Sequence, residues 1–133
     1  MSVPEEYRDT AINLLIEKSN RNLEQAIFNA EKDFWDLVAN RLYYSIFHAA
    51  SALLMKEGIQ ISTHKGASSQ FGKHFILTGK YPKEDGKLYG RLQTMRAKAD
   101  YDNVFILSKE DGERLIDQAL SLQRKIINDI KNI

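Results

Sequence analysis

The 133-residue chain contains no cysteine. That excludes a disulfide scaffold, a thiolate nucleophile and any cysteine-ligated metal site, and it fits a reducing compartment. Only two prolines interrupt it, and no internal repeat or low-complexity tract is visible. No apolar run approaches the roughly 20 residues that a spanning helix needs. The opening MSVPEEYRDT has neither the basic start nor the apolar stretch of a signal peptide, so a cytoplasmic protein with no membrane contact is expected. Neither sign of charge dominates, with 19 Lys and Arg against 18 Asp and Glu. Without a bulk field to draw in a polyanion, any nucleic-acid binding must come from a local patch. What the chain does have is apolar content, 43% of its residues, enough for one sizeable core, and a single domain over residues 1–133 is expected.

Helical periodicity accounts for most of the chain. Ser2 followed by Glu5 matches a capping box with Pro4 in the first turn, and Ile12, Leu15, Ser19, Leu23, Ile27 and Ala30 recur at helical spacing. They predict a first helix from about Pro4 to Ala30. Asp33 is expected to cap a second helix. There Phe34, Leu37, Val38, Tyr44, Ala52 and Met55 share one face, while Leu42, Ile46, Ala50, Leu53 and Leu54 fill much of the opposite one. A helix apolar nearly all round belongs in the middle of a bundle, and Gly58 is placed to end it. Thr63 is expected to cap a short third helix carrying Phe71 and Phe75 up to Gly79. Pro82 opens a fourth, with the stripe Leu88, Leu92, Met95 and Ala99, broken by the Asn103–Ile106 segment. Ser108 with Asp111 starts the last, carried by Leu115, Ala119, Leu122, Ile126 and Ile130. With no alternating strand pattern, the expected fold class is all-α, an antiparallel up-and-down bundle of four to five helices.

Two constellations could carry chemistry. Arg41, Ser45, His48 and Ala52 project from one side of the central helix, a polar seam in an apolar element. In a purely structural role, Arg41 pairs with an acid on a neighbouring helix and His48 donates to a carbonyl. In a functional role, a histidine beside an arginine supplies a proton-transfer group and a phosphate-binding cation, the minimum for cleaving RNA through its 2′-hydroxyl without metal. Positions seven apart lie about 10 Å apart along a helix axis, so convergence of the two on one phosphate is the demanding condition. The second constellation closes the fourth helix. There Arg96 and Asp100 are spaced as an intrahelical ion pair, either a solvated helix end or a phosphate-contacting arginine held by a carboxylate, with Tyr101 offering a hydroxyl or a stacking face. Thr63-His64-Lys65-Gly66 is a third place where backbone amides, His64 and Lys65 can receive an anion. His48, His64 and His74 show no metal-binding spacing and no acidic cluster accompanies them, so neither a metal nor a cofactor is expected.

Taken in order, Arg41-Leu-Tyr-Tyr-Ser-Ile-Phe-His48-Ala-Ala, Leu53-Leu54, Thr63-His64-Lys65-Gly66, Phe71, Gly79 and Arg96-Ala-Lys-Ala-Asp100-Tyr101 carry a resemblance over most of the chain. It resembles the small stand-alone bacterial and archaeal members of the HEPN group, helical domains named for nucleotide binding in higher eukaryotes and prokaryotes. The resemblance implies an up-and-down bundle, frequent homodimers and, in many members, a toxin or defence role beside a small nucleotidyltransferase partner. Active members are metal-independent ribonucleases, whose hallmark is an arginine, four to six residues and a histidine near the end of the helix before the last. Here Arg96 holds the arginine's place, and Tyr101 stands after the four-residue gap where that histidine would be. Arg41 and His48 satisfy the same spacing by count, but on the central helix. Two readings follow. In one, an RNA-acting toxin or defence protein uses Arg96, Asp100, Tyr101 and His48 for catalysis and Arg41, His64 and Lys65 for binding. In the other, a noncatalytic helical module dimerises and binds a nucleotide or a nucleotidyltransferase.

Overall fold

The computed structural model describes residues 3–101 and 105–132. Among them are five α-helices, α1 (Arg8–Glu31), α2 (Trp35–Lys56), α3 (His64–Phe71), α4 (Lys83–Tyr101) and α5 (Lys109–Lys131), which confirms the all-α bundle. A 3-10 turn, Glu5–Tyr7, leads into α1, and a π-helical turn, Gly72–Ile76, extends α3. The first helix therefore starts one turn later than Pro4 implied. Ser2 of the expected capping box and Asn103 and Val104 of the expected break lie outside the described residues.

The central position of α2 follows from its composition. Twelve of its 22 residues are buried, including Leu42, Ile46, Ala49, Ala50, Leu53 and Leu54, and it packs on α1, α3, α4 and α5. Alanines and serines on this helix let its neighbours approach closely. Against α1 the approach is locked by a reciprocal pair of hydrogen bonds. The Ser19 hydroxyl donates to the Ser45 carbonyl at 2.8 Å, and the Ser45 hydroxyl donates to the Ser19 carbonyl at 3.0 Å. From α5, Gln123 Nε2 donates to Ser19 Oγ at 3.1 Å and to Asn20 Oδ1 at 2.7 Å. Three helices thus share one satisfied polar knot in an apolar interior, and Ser45 is spent on it rather than on the seam with Arg41 and His48.

The helix ends show where polar residues do their work. Gly58, with φ +77, ends α2 as expected. Its N–H bonds to the Met55 carbonyl while that of Ile59 reaches back to Leu54, the paired bonds of a Schellman motif. The same motif corrects the role of Asp33. Its N–H bonds to Ala30, the N–H of Phe34 bonds to Asn29, and its φ of 60 is left-handed, so Asp33 terminates α1 instead of capping α2, whose N-cap is Phe34. Aspartate tolerates that conformation better than most residues. Thr63 Oγ1 accepts from Gly66 N at 2.8 Å and Ser108 Oγ from Asp111 N at 3.1 Å, so both of those caps are as expected.

The buried stripes match expectation on α5 and depart from it on α1. Leu115, Ala119, Leu122, Ile126 and Ile130 are all buried. On α1 the buried set is Ile12, Ile16, Ser19, Asn22, Leu23 and Ala26, and Ile27 is exposed. Ile12, Ser19 and Leu23 are buried as expected, while Ile16 and Ala26 take the buried places expected of Leu15 and Ile27. Phe34 and Leu37 are also exposed, although Trp35, Val38 and Ala39 beside them pack inward.

Candidate functional site

One side of α2 remains open between α1 and α4, and the polar side chains of three helices gather there. Arg41 is held by neutral amides, not by the acid that a structural role called for. Its guanidinium donates to Asn22 Oδ1 at 2.9 Å and Gln25 Oε1 at 3.4 Å on α1, and to Asn40 Oδ1 at 2.9 Å. Its positive charge is oriented without being neutralised. Asn40 turns its amide nitrogen toward Asp100 Oδ1, 3.4 Å away, and Asp100 faces Arg96 at 3.7 Å. A chain of contacts therefore joins the two guanidinium groups, Arg41 to Asn40 to Asp100 to Arg96, across α2 and α4.

Aromatic rings form the floor. The Arg96 guanidinium lies 5.0 Å from the ring centre of Tyr43 and 5.9 Å from that of Tyr44, within cation–π range. Its side chain is only 20% exposed, and its Nε is buried with no hydrogen-bond partner among the described residues. Arg41 lies 5.3 Å from the same Tyr44 ring, and the His48 ring is 6.1 Å away. His64, the first residue of α3, stacks on Phe47 at 4.3 Å, and its Nδ1 is 2.7 Å from the Tyr43 hydroxyl.

The local field fixes the protonation states. Burial pushes the Tyr43 hydroxyl up to about 12, with the Arg96 charge opposing and Tyr44 assisting, so Tyr43 keeps its proton at physiological pH beside His64 Nδ1. Burial, and then the Arg96 charge, lower the His64 pKa, which favours the neutral ring. His48 is lowered to about 4, first by burial and then by Lys18, His64 and Arg41. It is a neutral imidazole at physiological pH. Its Nδ1 is buried without a partner among the described residues, so it does not donate to a carbonyl through that atom. The site thus combines two cations, two neutral imidazoles and one carboxylate, a setting that favours a bound anion and can accept a proton.

Arg41, His48, His64, Arg96 and Asp100 accordingly meet in one region. Tyr101 does not join them. Five positions beyond Arg96 it lies about 140° around the helix, and it is 81% exposed. Lys65 is exposed on the first turn of α3, apart from the cluster. Among the described residues no group of three His, Cys, Asp or Glu gathers as a metal site would require, and no helix is long and apolar enough to cross a membrane. Sequence reasoning missed Asn40, Tyr43 and Phe47. Asn40 gave no signal beyond its place beside Arg41, whereas the run of aromatic residues between Arg41 and His48 was a usable one.

The sequence pattern described as HEPN domain matches residues 12–132. A "UPF0332 protein" of Thermotoga maritima is 37% identical over 95 residues, 69% of this chain and 72% of that protein. Two proteins of Methanocaldococcus jannaschii are also similar. "Putative toxin MJ0142" is 35% identical over 77% of this chain and 69% of its own length, and "Putative toxin MJ0605" is 33% identical over 92% and 90%. Among solved structures, an archaeal HEPN homologue superposes with a TM-score of 0.69 at 17% identity, covering 90% of this chain and 97% of that one, a likeness of fold.

Proposed function

The chain belongs to the HEPN domain family, and from that premise we propose that it is a toxin-type or defence protein that cleaves RNA without a metal. The convergence of Arg41, Arg96 and His48 on the ring of Tyr44, at 5.3, 5.9 and 6.1 Å, carries the reading. Side chains from separate helix positions neighbour one ring, which supports their sharing a phosphate. The two guanidinium groups hold the scissile phosphate and stabilise the charge that builds on it. Neutral His48 takes the proton of the 2′-hydroxyl as its oxygen attacks phosphorus; the bond to the 5′-oxygen breaks, that oxygen takes a proton from water, and a 2′,3′-cyclic phosphate remains. His64, held beside Tyr43, offers a further hydrogen bond to the phosphate. Asp100 positions Arg96. The two relatives named as toxins support the biological role, and pairing with a small nucleotidyltransferase rests on the family resemblance.

The test is incubation of purified protein with mixed RNA in excess chelator. Wild type should cleave. Arg96→Ala should lose on the order of a hundredfold or more in rate, as when a charge-stabilising donor is removed, and His48→Ala a comparable factor, each with helicity intact. Tyr101→Phe should cleave as wild type does. An inactive wild type would overturn the catalytic reading in favour of the noncatalytic dimerisation and binding module, which the outward-facing Tyr101 in the histidine's place favours.

A further inference from the structure

The near-neutral total charge conceals a segregation. Residues 58–99 carry eight Lys and Arg but two carboxylates, Glu84 and Asp85, while the rest of the chain carries eleven against sixteen. Five of those eight cations, Lys83, Lys87, Arg91, Arg96 and Lys98, lie on α4 together with the carboxylates Glu84, Asp85 and Asp100. Lys83, Lys87, Arg91, Thr94 and Lys98 are spaced four, four, three and four apart, which confines them to an arc of about 80° on the helix surface. All five are exposed. Of the three carboxylates on α4, Asp85 is taken up by Lys125 of α5 at 2.6 Å and Asp100 by Arg96, which leaves exposed Glu84 as the one beside the stripe. Among the described residues none of the four cations makes an ion pair. Lys73, from the π-helical turn, lines the same groove as Lys83 and Lys87.

Helix stability does not explain this arrangement. Lys83 and Lys87 occupy the first two turns of α4, where the helix dipole disfavours cations, and like charges four apart repel. The stripe spans about 22 Å from Lys83 to Lys98, with Lys83, Lys87 and Arg91 about 6 Å apart along the axis and Lys98 about 10 Å further on, beyond Thr94, spacings that the phosphates of an extended strand can follow. At its far end, on the same arc, stands Tyr101, 81% exposed, a ring available for base stacking.

We propose that the outer face of α4, from Lys83 through Lys87, Arg91 and Lys98 to Tyr101, is a docking track for the backbone of single-stranded RNA, distinct from the Arg41, His48 and Arg96 cluster on the inner side. The inference rests on the RNA reading above, but concerns binding and not cleavage. The terminal tyrosine favours RNA over an acidic protein helix, since bases offer a π-face and carboxylates do not. Tyr101 then acts through its ring and not its hydroxyl.

The experiment measures binding of a fluorescein-labelled 2′-O-methyl oligouridylate, which lacks the hydroxyl needed for cleavage, across a series of salt concentrations. Wild type should bind with a steep salt dependence. Joint Lys83→Gln, Lys87→Gln, Arg91→Gln and Lys98→Gln substitution should lower the slope of log K against log salt by about 0.7 for each phosphate that is no longer neutralised. A charge-matched set on α5, Lys109→Gln, Arg114→Gln, Arg124→Gln and Lys131→Gln, should leave it unchanged. Tyr101→Ala should weaken binding roughly tenfold, and Tyr101→Phe should not. Circular dichroism confirms that each variant is folded. Equal slopes for wild type and the α4 set would overturn the proposal, as would binding of oligoglutamate but not of RNA, which would assign the face to an acidic protein. Stripe-dependent binding by a protein that cleaves no RNA would uphold the track and remove the ribonuclease reading alone.

Discussion

At His48, burial comes first, and Lys18, His64 and Arg41 act in the same direction, each disfavouring the imidazolium. The consequence for stability has a definite sign. An unfolded histidine titrates near 6.5 and the folded one at about 4, so on acidification the unfolded chain takes up this proton first. The stabilisation is complete above about pH 6.5, and is lost as the pH falls toward 4. A partly buried ring repays less than the full shift, so the loss is on the order of 2 kcal/mol. Urea unfolding followed at several pH values should show wild type losing stability through that window more steeply than His48→Gln. Parallel curves would mean that His48 titrates alike in the folded and unfolded chain and that burial does not hold it neutral. Arg41 and His48 were legible in the sequence as a seam, because charged residues on an apolar helix stand out. Their partners were not. Asn22, Gln25 and Asn40 are neutral, lie on two different helices, and acquire meaning only when α1 packs beside α2.

Elements were legible to the extent that local chemistry decides them. Capping by Thr63 and Ser108, termination by Gly58 and the α5 stripe all depend on neighbours in sequence, and all were readable. The start of α2 was not, because Asp33 satisfies the local signal for a cap equally well as a left-handed helix terminator, and the tight turn between α1 and α2 decides between them. Gly112 is a second case of tertiary override. It lies in the first turns of α5 against Trp35, and a Cβ added there would sit 2.4 Å from the indole. Alanine is the better helix former by about 1 kcal/mol, yet Gly112→Ala should destabilise the protein by about 1–3 kcal/mol, because the indole must move. As Trp35 is the sole tryptophan, its emission should shift along with the thermal midpoint. A stabilised variant with unchanged emission would show that the indole does not crowd this position.

On the scale of the whole molecule, the open side of α2 is bordered by apolar residues that a lone bundle leaves in water. Phe34, Leu37, Arg41, Tyr44 and His48 fall within an arc of about 80° on α2, and Leu14, Lys18, Arg21, Gln25 and Phe28 within a similar arc on α1. Leu14, Phe28, Phe34 and Leu37 are all roughly half exposed. Apolar flanks around a polar centre are the makings of an interface, and with one kind of chain the simplest closure is two-fold, the same patch on both copies. Such a homodimer, also implied by the family resemblance, should bury about 1,200 Å² or more. It would close over Arg41 and His48 and exclude water, strengthening each electrostatic contact with a bound phosphate. Light scattering at micromolar concentration should give the mass of a dimer, and Leu37→Asp, a change at an exposed site with little bearing on the fold, should give a monomer of unchanged helicity. If the interface completes the site, the monomer should also lose RNA cleavage while keeping the salt-dependent binding carried by α4. A wild-type protein of monomer mass throughout that range would remove the dimer and require one copy to supply the whole of the chemistry.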